Sequence, residues 1–241
     1  MSTRHKAIKA TLDRGYASEW NDDHIADFTD EIEHVCNLFT PAITTEWDTG
    51  ETAGGTVPTI TLVGAAGSGH VFVVFNTGAT TGQLSSMRHE LNGAAGNITS
   101  LDDYPMMTFT MNISAIHTAG KVIEAGLVPS ATAPFTANQD GAYFRVNNNL
   151  LYAVTGDGAA ETATSLGAYD AYAQYRIEVV SVGGVDKVNF YVDDMDNAAA
   201  VHTTNLPNAD LTMKVSVISA NNVDSTIHID GVALNILRKN A

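Results

Sequence analysis

The spacing of the apolar residues changes near residue 40. Before that point they recur at alternating intervals of three and four, at Ile25, Phe28, Ile32, Val35 and Phe39. This spacing places them on one stripe of an α-helix. Asn21 is a suitable N-cap with acidic residues in the first turn, and Pro41 follows the stripe. The pattern predicts an amphipathic helix of about five turns over residues 21–39.

Downstream of residue 40 the pattern is typical of β-strands. Residues 107–113 alternate strictly between apolar and polar side chains, which indicates a strand with one buried face. Residues 71–75 are almost continuously apolar, which favours a strand buried on both faces. Two further alternating runs, 175–179 and 188–192, flank Gly183-Gly184 and predict a hairpin.

The C-terminal runs complete the pattern. Residues 211–217 form another half-buried strand, and Ile227 and Ile229 begin the last one. After Gly231 the apolar positions move from odd to even numbers, which predicts a bulge or bend at that glycine. We count about ten to thirteen strands and no helix after Phe39.

The fold class predicted from these elements is mainly β. Parallel sheets need crossover helices, so their absence favours an antiparallel two-sheet β-sandwich with a short N-terminal helical arm. We expect two parts, a helical docking and oligomerisation segment at 1–40 and the sandwich at 41–241.

Composition excludes several classes of protein. Hydrophobic residues make up 44% of the chain and charged residues 16%, enough apolar material for a substantial core. A net charge of −15 repels phosphate backbones, so we expect no nucleic-acid partner. The single cysteine, Cys36, excludes an internal disulfide. We expect neither a secretory signal nor membrane insertion, because no apolar stretch has the required length.

Four C-terminal segments resemble a known family. They are Tyr175-Arg-Ile-Glu-Val-Val, Val188-Asn-Phe-Tyr-Val-Asp-Asp, Val201-His-Thr-Thr-Asn-Leu-Pro and Ile229-Asp-Gly-Val-Ala-Leu. Together they resemble the last strands of concanavalin-like, laminin-G-like jelly rolls. Asp194 stands where that family usually has glycine, so the turn after Val192 is expected to be built differently.

A second resemblance lies near the N-terminus. Ala17-Ser-Glu-Trp-Asn-Asp-Asp-His is similar to a segment of tail-fibre and other virion proteins of tailed viruses, where it precedes a variable distal module. The two resemblances imply a non-enzymatic virion surface protein, a capsid decoration, turret or tail-fibre component that is assembled in the host cytoplasm. The partners implied are other virion proteins, copies of the chain itself and host-surface glycans.

Two groups of residues are candidates for these roles. A lone amphipathic helix needs an apolar surface to cover, so the assembly candidates are Trp20, Ile25, Phe28, Ile32 and Val35. Glycan recognition uses exposed aromatic rings, and the candidates in loop-like contexts are Trp47, Tyr104, Tyr169 and Tyr172.

An enzymatic alternative follows from the same family. The fold also includes polysaccharide lyases, whose clefts combine Arg, His and Tyr, and this chain has Arg88-His-Glu90, His117 and Tyr143-Phe-Arg145 in that order. His117 or Tyr143 would be the base, and Arg88 would neutralise the carboxylate of an acidic glycan. The surrounding residues depart from the lyase motifs, so no catalytic residue is assigned. A cellular carbohydrate-binding lectin is the other alternative.

Other chemistry is not indicated. The glutamate pair of retaining glycosidases is missing from the sequence. The cluster of Asp193, Asp194, Asp196 and Asn197 lacks the spacing of a calcium loop and is interpreted as a solvated turn. The histidines include no His-x-x-x-His pair and no cysteine companion, so we expect no metal and no cofactor.

Overall fold

The computed structural model describes residues 31–34, 47–48, 56–62, 71–77, 80–89, 96–113, 121–170, 172–219 and 226–237. Within these ranges the chain forms β-strands and one short 3₁₀ turn at Leu101–Asp103. The strands, in chain order, are β1 (Glu31–His34), β2 (Trp47–Asp48), β3 (Thr56–Leu62), β4 (Val71–Asn76), β5 (Leu84–His89), β6 (Pro105–Asn112), β7 (Lys121–Val128), β8 (Gly141–Asn147), β9 (Leu150–Gly156), β10 (Glu161–Ala168), β11 (Tyr172–Val182), β12 (Val185–Val192), β13 (Ala200–His202), β14 (Thr212–Ser219) and β15 (Thr226–Leu237).

The strands form two sheets. The eight-stranded sheet has the order β13-β12-β11-β6-β15-β4-β3, with β1 also paired to β15. The seven-stranded sheet has the order β10-β9-β8-β7-β14-β5-β2. All pairings between these strands are antiparallel. The predicted antiparallel two-sheet β-sandwich is therefore confirmed.

Period-two alternation builds the core between the sheets. In β6 every second residue is buried, as the sequence predicted. Phe144 of the seven-stranded sheet meets Tyr175 and Phe190 of the other sheet edge to face, at ring-centroid distances of 4.9 and 5.3 Å. Phe109 stacks on Tyr175 at 5.2 Å. Such offset and edge-to-face pairs add to the stabilisation that burial of the rings supplies.

A histidine connects the two sheets at one edge of the sandwich. His202 of β13 belongs to the eight-stranded sheet, but its two ring nitrogens lie 2.9 Å from the hydroxyls of Thr155 and Thr164 in the other sheet. The imidazole also packs against Phe190 at 5.1 Å. Burial lowers the pKa of His202, so the ring is neutral at pH 7. This hydrogen-bonded contact joins the two sheets where the aromatic core ends.

Two predicted details are confirmed. The β11–β12 hairpin turns at Gly183 and Gly184, which both have positive φ, as a tight two-residue turn requires. The pairing of β15 with β6 shifts register between Asp230 and Ala233, so the predicted bulge falls in the short stretch that contains Gly231.

The helix prediction is wrong over Glu31–His34, which form β1 instead. Ile32, an assembly candidate, lies opposite Ile236 of β15. The reason is tertiary: among the described residues β4 pairs with Thr226–Ile229, so the later part of that side of β15 remains for another strand. Pairing with an available sheet edge outweighs a weak local helix preference. Trp20, Ile25, Phe28, Val35 and the rest of the predicted helix lie outside the described residues.

Candidate functional site

The outer face of the seven-stranded sheet carries polar side chains in adjacent rows. Lys214 of β14 lies between Arg88 of β5 and Gly126 of β7, and Gly126 lies opposite Tyr143 of β8. In antiparallel pairs, residues directly opposite each other share a face. The sheet therefore brings together on one face charged and aromatic residues that are far apart in the sequence.

A loop of residues 129–140, between β7 and β8, covers part of this face. Arg88 donates from Nη1 to the carbonyl of Ser130 at 2.8 Å, and Lys214 donates from Nζ to the carbonyl of Thr132 at 2.8 Å. Hydrogen bonds from charged donors are stronger than those between neutral groups. We call residues 129–140 the covering loop, because the side chains of the sheet hold it against the outer face.

Glu124 of β7 is the central acidic group under the covering loop. Its carboxylate accepts hydrogen bonds from the backbone N–H of Phe135 at 3.0 Å, from Gln139 Nε2 at 3.0 Å and from Arg145 Nε at 2.9 Å. Burial raises the pKa of Glu124, while Arg145 and the hydrogen bonds oppose that rise. Because all three partners donate, the geometry fits the ionised carboxylate.

Arg145 of β8 joins Glu124 to a second carboxylate. Its Nη1 and Nη2 lie 3.0 and 3.3 Å from the two oxygens of Glu161 in β10, and Nη2 also donates to the hydroxyl of Tyr143 at 3.0 Å. Burial alone would lower the pKa of Arg145, but the hydrogen bonds and charges of Glu161, Tyr143 and Glu124 raise it above its ordinary value. The guanidinium is therefore fixed between two carboxylates.

These groups line an open cavity of about 310 Å³. Glu124, Arg145 and Glu161 contribute the charged part of its wall, and the covering loop contributes the part from Phe135 to Asn138. Sites for small ligands combine apolar surface with a few polar groups that fix orientation, and this volume is at the lower end of their range. The cavity therefore has the size of a site for a small ligand.

Only some of the candidate lyase residues share one face of the sheet. Arg88, Tyr143 and Arg145 share the outer face, whereas His89 is buried and His117 and Glu90 lie outside the described residues. Tyr143 is fully buried, and burial together with the charge of Glu124 raises its pKa above the ordinary value. Its hydroxyl is therefore protonated at neutral pH and shielded, a poor arrangement for a base.

The four aromatic residues predicted to bind glycans do not meet in one place. Tyr104 and Tyr169 pack against the core, Trp47 lies in the edge strand β2, and Tyr172 is 57% exposed. Tyr104 precedes β6, whereas Tyr172 lies opposite Asn112 at its far end, so the ~23 Å length of this strand lies between them. None of the four lines the cavity around Arg145.

Glu124, Glu161 and Asn147 were not among the site residues predicted from the sequence. One signal was available for Glu124, which is the only charged residue in the apolar run of residues 122–128. A carboxylate inside a buried strand requires a partner, which here is Arg145. The identity of that partner depends on sheet order, which the run itself does not reveal.

The hydrogen bonds of the acidic turn after β12 are formed within the turn. The Asp194 carboxylate accepts hydrogen bonds from the backbone N–H groups of Asp196 and Asn197 and from the Asn197 side chain. These hydrogen bonds lower the pKa of Asp194. Asp193 has a positive φ of 57°, so this turn is formed without the glycine that the resemblance led us to look for. Among the described residues, no group of three or more His, Cys, Asp or Glu is arranged to hold a metal ion.

Comparison with known proteins gives the fold but no family. No family model and no curated protein matches this chain. A conserved carbohydrate esterase, vb_24B_21 from the Shiga toxin-encoding bacteriophage phi24B, is a similar solved structure with a TM-score of 0.51 at 14% identity. The match covers 85% of this chain and 97% of that one.

Two other solved structures are similar at the same level. The carbohydrate recognition domain of Emp47p gives a TM-score of 0.55 at 13% identity and covers 85% of this chain and 94% of that one. A native glycosidic hydrolase gives 0.55 at 12% identity and covers 88% and 97%. These identities are low, so the similarities are evidence of fold alone: this chain has the concanavalin-like jelly-roll fold that its C-terminal strands resemble.

In the part of the chain that the structure describes, no helix is both long and apolar enough to cross a membrane.

Proposed function

We propose that this chain is a non-enzymatic glycan-binding protein of a virus particle surface, which displays its β-sandwich outward and assembles through its N-terminal segment. The observation that carries the glycan-binding part is the cavity on the outer face of the seven-stranded sheet. There Arg145 is held rigidly between Glu124 and Glu161.

The lining of the cavity suits sugar hydroxyls. Each hydroxyl can donate and accept, so it matches a wall that offers carboxylate oxygens from Glu161 and side-chain amides from Asn138 and Asn147. Val122 and Phe135 add apolar surface of the kind that packs against the C–H groups of a sugar ring. The rigid core of the sheet below limits the ordering cost of binding.

The virus-particle part of the proposal has two supports. The segment beginning at Ala17 is similar to part of tailed-virus virion proteins, and one similar solved structure comes from a bacteriophage. The strongly acidic composition is consistent with a soluble, multimeric surface component. Other virion proteins and copies of the chain are its proposed partners.

The non-enzymatic part rests on the same face. A lyase needs a base in reach of the substrate. Of the two candidates, Tyr143 is buried in the sheet beside Gly126 with its hydroxyl bound to Arg145, and His117 lies outside the described residues. Release of an unsaturated, ultraviolet-absorbing product from alginate or polygalacturonate by the purified chain would contradict this part of the proposal.

A glycan array with the purified full-length chain tests binding. Ala137 lies in the covering loop at the cavity, so Ala137→Trp should fill the space and weaken binding at least tenfold. Ala199, exposed in the connection between β12 and β13, gives the matched control Ala199→Trp, which should bind as the parent does. Retention of no glycan, or equal retention by both variants, would refute the glycan-binding part.

Deletion of residues 1–30 tests assembly. This boundary keeps β1, which pairs with β15, so the sandwich should remain folded by circular dichroism. We expect the shortened chain to lose incorporation into particles, measured by co-sedimentation with particles from the source and by antibody labelling in electron microscopy. Incorporation equal to that of the full-length chain would refute the docking role.

A further inference from the structure

The charges of the ionisable side chains that line the cavity do not cancel. Glu124 and Glu161 contribute two carboxylates, and Arg145 is the sole cation among the described residues that line the cavity. Glu124 accepts hydrogen bonds from three donors, the arrangement that suits an ionised carboxylate. The cavity therefore carries a net negative charge at neutral pH, in a chain whose overall charge is −15.

The guanidinium of Arg145 has little capacity left for an anionic ligand. Arginine has five N–H donors. Four hydrogen bonds already run from Arg145 to Glu124, Tyr143 and both oxygens of Glu161. One N–H of Nη1 is left, and a ligand carboxylate that used it would lie close to Glu161, because the same Nη1 is 3.0 Å from Glu161 Oε1. The charge of Arg145 is already offset by Glu124 and Glu161, so the two carboxylates would repel each other.

Glu161 remains able to receive a neutral ligand. Its side chain is 26% exposed, and each of its oxygens takes only one hydrogen bond from Arg145. A carboxylate oxygen can accept more than one donor, so each has capacity for a sugar hydroxyl. Hydrogen bonds from a hydroxyl to a carboxylate are short and strong.

We infer that the cavity selects uncharged sugars and rejects uronic acids, because its single arginine is already neutralised by two carboxylates. This inference rests on the proposed glycan-binding function and names the class of glycan that the same cavity takes. It separates this chain from any protein of the same fold that binds an acidic polysaccharide through a free arginine.

Pairs of oligosaccharides that differ only at C6 provide the test. Suitable pairs are β-1,4-mannohexaose with hexamannuronate and α-1,4-galactohexaose with hexagalacturonate, measured by isothermal titration calorimetry with the full-length chain at 50 mM salt. In any pair that binds, the neutral sugar should bind at least tenfold more tightly. Raising the salt to 500 mM should narrow this difference, because exposed charges are then screened.

Glu161→Gln should change the selectivity. The substitution removes one negative charge, so the preference for the neutral sugar should fall at least fivefold. Glu178→Gln is the matched control: Glu178 lies in the other sheet, is 27% exposed and also lies near an arginine, Arg176. We expect this control to keep the preference of the parent chain.

The outcomes separate the two proposals. Absence of binding to both members of every pair would overturn the proposed function. Uronate binding that equals or exceeds that of the neutral sugar would overturn the selectivity alone, as would an unchanged preference in Glu161→Gln. Neutral-sugar binding that survives Ala137→Trp would locate the site elsewhere and also overturn the inference.

Discussion

Removal of Arg145 is the most direct test of the buried charge cluster. We expect Arg145→Met to destabilise the protein, because it keeps an apolar side chain of similar length but leaves Glu124 without its cation. The side chains of Glu124 and Arg145 are only 6% and 18% exposed, so water cannot fully replace the lost partner. Glu124 keeps the backbone N–H of Phe135 and the amide of Gln139.

The magnitude follows from this partial burial. Breaking a fully buried ion pair by removing one partner costs about 3–5 kcal/mol. The residual exposure of Arg145 and the two remaining donors reduce this, and we expect a loss of about 2 kcal/mol in the free energy of unfolding. For a chain of this size, that corresponds to a fall in Tm of about 4–8 °C.

A double-mutant cycle measures the interaction itself. Chemical unfolding of the parent, Arg145→Met, Glu124→Gln and the double variant should give a coupling energy of about 2 kcal/mol. The matched cycle of Arg176→Met and Glu178→Gln, whose charged groups are 4.0 Å apart and more exposed, should give less than about 1 kcal/mol. Equal coupling in the two cycles would refute the argument that burial makes the Arg145 pair the stronger one.

The pH dependence of the same variant has a defined sign. A carboxyl whose folded-state pKa is raised gives its largest stability below the unfolded pKa, and that stability is lost as the pH rises through the folded pKa. Burial already raises the pKa of Glu124, and the positive charge of Arg145 counteracts that rise. Removal of Arg145 should therefore raise the pKa of Glu124 further. The deficit of Arg145→Met relative to the parent should therefore be smaller at pH 4.5 than at pH 8. A deficit independent of pH would contradict this assignment.

Two further substitutions test the sandwich edge and the sheet. Burial lowers the folded-state pKa of His202, so its contribution is present above about pH 6.5 and is lost as the pH falls through the folded pKa; denaturant titrations from pH 7 to 5 should show a shallower loss of stability in His202→Gln than in the parent, and parallel curves would contradict the role. Gly126→Ala would place a Cβ atom 2.6 Å from Cβ of Tyr143 and against the backbone of that residue. We expect overpacking to lower the free energy of unfolding by about 1–3 kcal/mol, measured by urea unfolding. An unchanged unfolding midpoint would show that the strands separate without cost.

The sandwich could be predicted because alternation is a local property. Each strand of a two-layer sandwich buries one face, so the alternation within β6, β11 and β12 was enough to identify their inner faces. In β14, predicted to be half-buried, Lys214 and Ser216 on the outer face are buried as well. The reversal of apolar positions at Gly231 was readable for the same reason. β1 was predicted wrongly because its state depends on the uncovered part of β15, which lies about 200 residues away in the chain.

The candidate site could not be predicted in the same way, because it depends on register between strands. Arg145 meets Glu124 only because β8 lies beside β7 with these residues opposite each other. It also reaches Glu161 across β9, whose register with β8 is set by the turn at Asn148 and Asn149, both with positive φ. Those two asparagines were a readable hairpin signal, and with that hairpin the order β7-β8-β9-β10 becomes a simple meander of adjacent strands. An outward arginine in the second strand then lies within reach of glutamates in the first and fourth strands. Turn chemistry and alternation together can therefore predict a charged cluster of this kind.

The position of the covering loop cannot be predicted from alternation and turns. It depends on Arg88 of β5 and Lys214 of β14, which are distant in sequence and become neighbours only in the folded sheet.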